Sequence, residues 1–386
     1  MDFSINKKSE KIKEVNVFSD GDSSEMSTWS NIPYFFTKTL IEKGIKVNRI
    51  DISPNIIFQR LFNLFVWRIL NKYKKGHFYT YLRTKIHFYD VNRKIKRAVK
   101  KYNKADVNIF ISFSHSSKQF DKRPVILFCD WTINYYFTYF LQRQPDILER
   151  QSLLRQDREI KNSDLVVSLF PGVAKYMENY YKGSKVLYLG NVVNSELSVS
   201  EEDLIHIKSI SKDILFIGSK RYFEGANILI ECFSFLQKEI PGLRLHIVGM
   251  KEGDFSHIPP NVTCYGYLDK GVDQQRAIYY ELLSNARVVV NTTPKWGAFS
   301  STIEAMYFYC PVITTAYNEF VETFGSEITF GYYGDAEDKQ QLCLLLKNIF
   351  LDKSYEKMCR EAHKAVEGFT WSAYIDKLLI RADELI

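Results

Sequence analysis

The sequence predicts an α/β protein of two doubly wound domains, each a parallel sheet with helices on both faces. Three observations predict it. Short apolar, β-branched runs alternate with helix-length amphipathic segments through most of the chain, the pattern of strands joined by crossover helices. The same rhythm restarts at residue 214, just after an acidic, Ser-containing run at 194–203 that marks a boundary. The length, 386 residues, suits two domains that each bury a core.

In the first half, residues 15–19 read as a strand, followed by a polar loop over 20–33 and a helix over 34–43 closed by Gly44. Strands follow at 47–52, 107–113, 125–128, 165–168 and 186–189, with a helix at 172–181. In the second half, strands at 214–218, 243–249, 262–266, 288–291 and 312–315 alternate with helices at 226–238, 275–285 and 304–309. The expected domains are 1–198 and 199–368, with a closing segment at 369–386. Ligands of such sheets bind at the carboxyl ends of strands, against helix N-termini.

Composition narrows the function classes. Apolar residues make up 46% and charged residues 25%, the balance of a soluble globular protein. The six cysteines form no C-x-x-C pair, so neither a zinc site nor a disulfide framework is expected, and a cytoplasmic setting is the default. Residues 1–15 are polar and charged, unlike a signal peptide, and the apolar run at 56–70 is interrupted by Arg60 and Arg68. Charge is uneven. Between Arg60 and Lys104, 14 Lys/Arg stand against one acid, Asp90, for a local charge of +13; against the total of +7 this leaves −6 elsewhere. Three readings of this stretch stand open: a surface for anionic membrane, peripheral on the inner face; a solvated face over an aromatic core; or a site for another polyanion. A nucleic-acid module is the least favoured, so no nucleic-acid partner is expected.

The densest cluster of chemistry is 292–306, Thr-Thr-Pro-Lys-Trp-Gly-Ala-Phe-Ser-Ser-Thr-Ile-Glu-Ala-Met. It follows an apolar strand. Gly297 permits close backbone approach, while Phe299, Ser300, Ser301 and Thr302 crowd a helix start, where free N–H groups and hydroxyls suit a phosphate. Glu304, one turn in, can accept from a ribose diol. It also completes Ser301-Thr-Ile-Glu304, a capping-box pattern in which it only caps its own helix. Asp20-Gly-Asp22 ends a first strand, where polar turns are routine, and no His/Asp/Glu cluster has metal spacing.

Five segments then come in a telling order: Ile214–Gly218 with Ser219, Lys220 and Arg221; Leu245–Gly249; Val262–Leu268, containing Tyr267; Tyr280–Val290; and Glu304 followed by Pro311-Val-Ile313. In this order the chain resembles family 4 glycosyltransferases, retaining enzymes of the GT-B architecture, in which two Rossmann-like domains face each other across a cleft. The loop at 20–33 with Trp29, Ser30 and Asn31, together with Phe128–Thr132 and Leu189–Val193, resembles a subgroup with a Trp-Ser-Gly element. Phe369-Thr-Trp371 and the helix after it look like the segment that packs back on the N-terminal domain.

The resemblance implies transfer of a hexose-type sugar from a nucleotide sugar, UDP more often than GDP, to a cell-surface glycan or lipid-linked precursor. No cofactor or metal is implied beyond the donor itself. Gly218, Ser219, Tyr267, Trp296, Gly297, Phe299, Ser300, Ser301 and Glu304 then fall on the donor side, and Ser30 and Asn31 on the acceptor side. Trp296 stands where the family has a sugar-facing Glu, and Ser219 and Glu224 where it has phosphate-binding Arg and Lys. Lys220, Arg221 and Lys295 are the replacement cations. His115 and Asp130, each after a strand, are further catalytic candidates, His115 being equally a plain surface histidine. The departures also fit a second reading, a non-catalytic GT-B-like subunit that stabilises a partner transferase.

Overall fold

The structure, a computed structural model, describes residues 11–74, 77–195, 197, 200–292, 299–335 and 338–386. The chain divides into two compact units, Met1–Asn191 with Trp371–Ile386, and Val192–Thr370.

Unit 1 holds a six-stranded sheet of β1 (Glu14–Ser19), β2 (Lys46–Asp51), β3 (Val107–Phe110), β4 (Val125–Cys129), β5 (Leu165–Ser168) and β6 (Val186–Tyr188). The order is β2-β1-β3-β4-β5-β6 and every pairing is parallel. Strands buried on both faces read as unbroken apolar runs, which is why Val-Ile-Leu-Phe at β4 and Leu-Val-Val at β5 were visible. Register is pinned by a buried asparagine ladder. Asn48 Nδ2 donates to Asn16 Oδ1 at 2.9 Å, and Asn16 Nδ2 to Asn108 Oδ1 at 2.8 Å. A one-residue slip would strand these amides in the core. The strand expected over 107–113 stops at Phe110, because the Ser112 hydroxyl takes the Ser114 N–H at 3.0 Å and turns the chain out of the ladder.

The helix Trp371–Asp383 belongs to this unit. Trp371 lies against Phe35 and Phe36 of the helix Ile32–Glu42, with ring centroids 6.4 and 6.1 Å apart, and Lys43 pairs with Asp376 at 2.7 Å. Within the basic stretch, the helix Lys85–Lys101 buries His87, Phe88, Val91, Ile95, Ala98 and Val99 and turns most of its cations outward. Residues 56–74 behave differently, as described below.

Unit 2 holds β7 (Asp213–Ile217), β8 (Arg244–Val248), β9 (Val262–Gly266), β10 (Val288–Asn291), β11 (Val312–Thr314) and β12 (Gly331–Tyr333). Their order, β12-β11-β10-β7-β8-β9, again all parallel, is that of a dinucleotide-binding sheet, with β7 beside β10 at the reversal of strand order. The expectation of no disulfide is corrected. Cys232, in the helix Phe223–Glu239, is bonded to Cys343, in the helix Lys339–Leu351, across a sequence separation of 111 that no spacing rule reads.

The helix expected over 304–309 begins earlier, at Ser300, with Phe299 as its N-cap. It closes on a left-handed residue that is not glycine. Tyr309 takes φ 56°, and the Cys310 N–H reaches Ala305 O at 3.0 Å. A left-handed tyrosine costs roughly 1–2 kcal/mol. Its ring lies flat on His363, centroids 4.1 Å apart, which offsets part of that cost.

Candidate functional site

In unit 2 the reversal between β7 and β10 sets the two strands side by side, because Ile214 and Leu215 pair with Val288 and Val289. The loop after β7 runs through Gly218, Ser219, Lys220 and Arg221. It is held hard against the end of β8. Gly218 N donates to Val248 O at 2.9 Å, and a Cβ on Gly249 (φ 102°) would meet Gly218 O at 2.4 Å. Only glycine permits that approach. The helices that follow the two strands in the chain, Phe223–Glu239 and Ser300–Tyr307, both have an N-cap residue that makes no side-chain cap hydrogen bond. Their first-turn N–H groups and the dipole behind them favour an anion.

Lys220, a candidate cation, is exposed and pairs with Asp254 at 2.5 Å. That pairing holds the Asp254 carboxyl below its usual range. Arg221 and Ser300 are exposed, Ser301 is half-buried and Phe299 is buried. Tyr267, just past β9, is 72% exposed, so its ring is presented rather than packed. Lys295, Trp296 and Gly297 lie outside the described residues.

Glu304 is almost fully buried, and its capping role is overturned. Phe299 is the N-cap, and the carboxylate is held by residues from elsewhere: Lys270 Nζ donates to Oε1 at 2.5 Å and the Tyr279 hydroxyl to Oε2 at 2.9 Å. Lys270 also donates to Asn194 O at 3.1 Å and lies 4.4 Å from the Tyr279 ring centre. Burial first, and then the charge of Glu304, push the Tyr279 hydroxyl well above its usual range, so it stays a donor. A carboxylate has about four acceptor positions, so two such bonds fix Glu304 and leave capacity for a ligand diol. Sequence reasoning missed Lys270 and Tyr279. No motif marks them, and they lie 34 and 25 residues from Glu304.

In unit 1, Asp130 follows β4 and lines a cavity of about 160 Å³ with Arg83, Ser114, Trp131, Tyr136 and Gln156. Burial raises its carboxyl above the usual range, against hydrogen bonds from Trp131 N at 2.8 Å and Cys129 Sγ at 3.2 Å. Arg83 was counted before only as one of many cations. Its guanidinium sits 4.6 Å from the Phe78 ring centre, and burial lowers its pKa to about 10. Ligand pockets commonly span about 300–1,000 Å³, so this cavity takes only part of a ligand.

His115 is not among the cavity's lining residues, nor on the surface. It is buried, with its ring 5.8 Å from Phe88 and 5.7 Å from His87, and burial lowers its pKa to about 3. The surface reading is therefore corrected. Ser30 and Asn31 lie in the loop after β1, where Trp29, Ser30 and Asn31 are successive left-handed residues with φ of 34°, 55° and 70°. Three such non-glycine residues in a row store strain of about 1–3 kcal/mol each, as functional loops often do. The Asn31 amide donates to Met26 O and holds the loop in place.

Residues 211–348, which contain β7 to β12, match the family described as "Glycosyl transferases group 1". No curated protein matches the chain significantly by sequence. Among solved structures, the chain is similar to sucrose-phosphate synthase from Thermosynechococcus elongatus, with a TM-score of 0.66 and 16% identity over 97% of this chain and 99% of that one. It is similar to a glycosyltransferase from Rickettsia africae, TM-score 0.62 and 14% identity over 97% and 99%. It is also similar to Anabaena HepE in complex with UDP and glucose, TM-score 0.60 and 13% identity over 96% and 99%. The two parallel six-stranded sheets with their flanking helices are thus a GT-B fold, whose second unit contains the segment that matches the group 1 glycosyltransferase family.

Proposed function

We propose that the protein is a retaining glycosyltransferase moving a hexose-type sugar from a nucleotide sugar, with UDP as the nucleotide, to a glycan or lipid-linked glycan precursor. The observation that carries this reading is the pair of uncapped helix starts on either side of the strand reversal, inside the region matching the glycosyltransferase family. In this reading the diphosphate rests on those helix starts and on the loop 218–222, and Glu304 accepts from the ribose. Lys220, Arg221 and Lys295 supply cationic charge as negative charge grows on the leaving diphosphate, so no metal is needed. The leaving phosphate takes the acceptor proton on the same sugar face, which needs no enzymic nucleophile. Asp130, with its raised pKa, orients an acceptor hydroxyl together with Arg83.

The test is a panel of nucleotide sugars, read by thermal shift and by nucleotide release, with and without EDTA. UDP-sugars are expected to raise the melting temperature and to release UDP once an acceptor is present, unchanged by the chelator. The absence of both shift and release across the panel would overturn the reading. The engagement of Lys220 by Asp254, with Ser219 and Glu224 at the family's cationic positions, favours a second reading: a subunit that binds the nucleotide without turnover. A thermal shift without release under any acceptor selects it.

A further inference from the structure

Residues 56–73 form a continuous helical run: Ile56–Phe62, a wider π turn Asn63–Trp67, and Arg68–Tyr73. The run is well started, since the Asn55 side chain accepts from the N–H groups of Ile57 and Phe58 at 3.0 and 3.3 Å. A surface helix ordinarily buries one apolar stripe. This one buries none of its residues. Ile57 is 67% exposed, Phe65 61% and Ile69 57%, and Phe58, Leu61, Leu64, Val66 and Trp67 are exposed as well. An apolar surface of this extent marks a docking site.

The charges on the same run say what covers it. Arg60, Arg68 and Lys72 are exposed between the apolar side chains. Arg60 and Arg68 line one groove of about 670 Å³ with Leu64 and Trp67. The following helix, Lys85–Lys101, presents Arg93, Lys96, Arg97 and Lys100 outward, and Lys94 ties it to the start of the run through Ser53 O at 2.5 Å. A flat apolar partner would be matched by an uncharged helix. An apolar face fringed by long cations and by Trp67 and Tyr73 matches an interface with acyl chains below and phosphates above. Among the described residues no helix is long and apolar enough to cross a membrane, so such a helix lies in the membrane plane.

We infer that residues 56–74 dock this protein on a bilayer that contains anionic lipid. The apolar side chains enter the acyl region, and Arg60 and Arg68 meet the headgroup phosphates. The docking stands independently of the transferase reading, because it rests on unit 1 alone and is measured without any sugar donor.

The test is flotation of the full chain at low salt with vesicles of equal parts phosphatidylglycerol and phosphatidylcholine, and with phosphatidylcholine alone. Co-flotation with the anionic vesicles, weakened by added salt, is expected. Each basic residue near an anionic surface is worth roughly a factor of five in affinity, so Arg60→Glu with Arg68→Glu is expected to lower vesicle affinity at least about twentyfold. Ile57→Asp with Phe65→Asp is expected to abolish flotation; none of these four residues is buried, so the melting temperature should hold. Failure of the unaltered chain to float with anionic vesicles overturns the inference. So does full binding by the Ile57→Asp, Phe65→Asp chain, or loss of binding only when Arg93 and Lys96 are reversed, which would place the contact on the second helix. Sedimentation covers the other occupant: a dimer that these apolar variants dissociate, in the absence of flotation, would assign the face to a second copy.

Discussion

Lys270 and Glu304 make the sharpest test of the candidate nucleotide site. Their charged atoms are 2.5 Å apart and nearly out of water. At an effective dielectric constant of about 20, Coulomb attraction at that distance is roughly 6–7 kcal/mol. Desolvation of the two ions takes back several kcal/mol, so the pair itself contributes little net stability. Removing one partner is another matter, because it leaves a lone buried charge at a cost of about 3–5 kcal/mol. Lys270→Met and Glu304→Gln are therefore each expected to destabilise unit 2 by that order, the second somewhat less because Gln still accepts from Lys270. The double variant is expected to lose far less than the sum, leaving a coupling of at least about 2 kcal/mol. The assay is urea unfolding followed by hydrogen exchange of peptides from the helix Ser300–Tyr307, which isolates unit 2. Additivity within about 0.5 kcal/mol would refute the coupled pair. UDP titration of the same proteins separates roles. If Glu304 meets the ribose only when Lys270 holds it, both single variants weaken UDP at temperatures where they remain folded.

Other perturbations follow from the same geometry. Asp130→Asn is expected to cut transfer by about a hundredfold or more while leaving UDP affinity unchanged, by analogy with the loss of a positioned acid or base; stopped turnover with an equal loss of UDP binding would contradict it. Asn31→Gly should be tolerated, whereas Asn31→Val, forced to φ 70°, should cost about 1–3 kcal/mol by thermal denaturation. His115 and His87 have pKa values lowered to about 3 and 4 by burial, helped by the nearby charges of Arg83 and Arg155. The unfolded chain takes up their protons near pH 6.5, so the stability of unit 1 is full above that pH and is lost as pH falls towards 4, by several kcal/mol. His115→Phe, which keeps a ring against Phe88, should move the acid-unfolding midpoint to lower pH; an unmoved midpoint would remove His115 from that balance.

The parallel sheets were legible because strands buried on both sides need no alternation, and runs such as Val288-Val-Val-Asn291 can hardly be anything else. β12 escaped: Gly331-Tyr-Tyr333 is too short and too polar to announce a strand, and only pairing with β11 makes it one. The strand ends beside which the candidate residues fall were legible for the same topological reason. What a side chain touches was not. Glu304 was placed correctly at a helix start, but its partners come from the turn after β9 and the helix Asp273–Asn285, and no local pattern encodes that contact. His115 reads alike in sequence whether solvated or buried. Its aromatic neighbours His87 and Phe88 come from a helix and lie 28 and 27 residues earlier, a separation that only the folded chain closes. Cys232 and Cys343 were invisible as a pair for the same reason.

The helix Trp371–Asp383 belongs to the first unit, although the whole second unit lies between them in the chain. Unit 2 is thus an insertion, an unbroken segment from Val192 to Thr370. Unit 1 cannot be obtained by truncation after Asn191, since that would uncover Phe35, Phe36 and Phe128, against which Trp371 and Tyr374 pack. On the ribosome the order of completion follows: the inserted unit has its whole sequence while the first still waits for its last helix. The first unit then closes around a seam supplied by residues made after the second unit, so a chain cut before Trp371 would carry the whole sequence of the second unit and an unsealed first one.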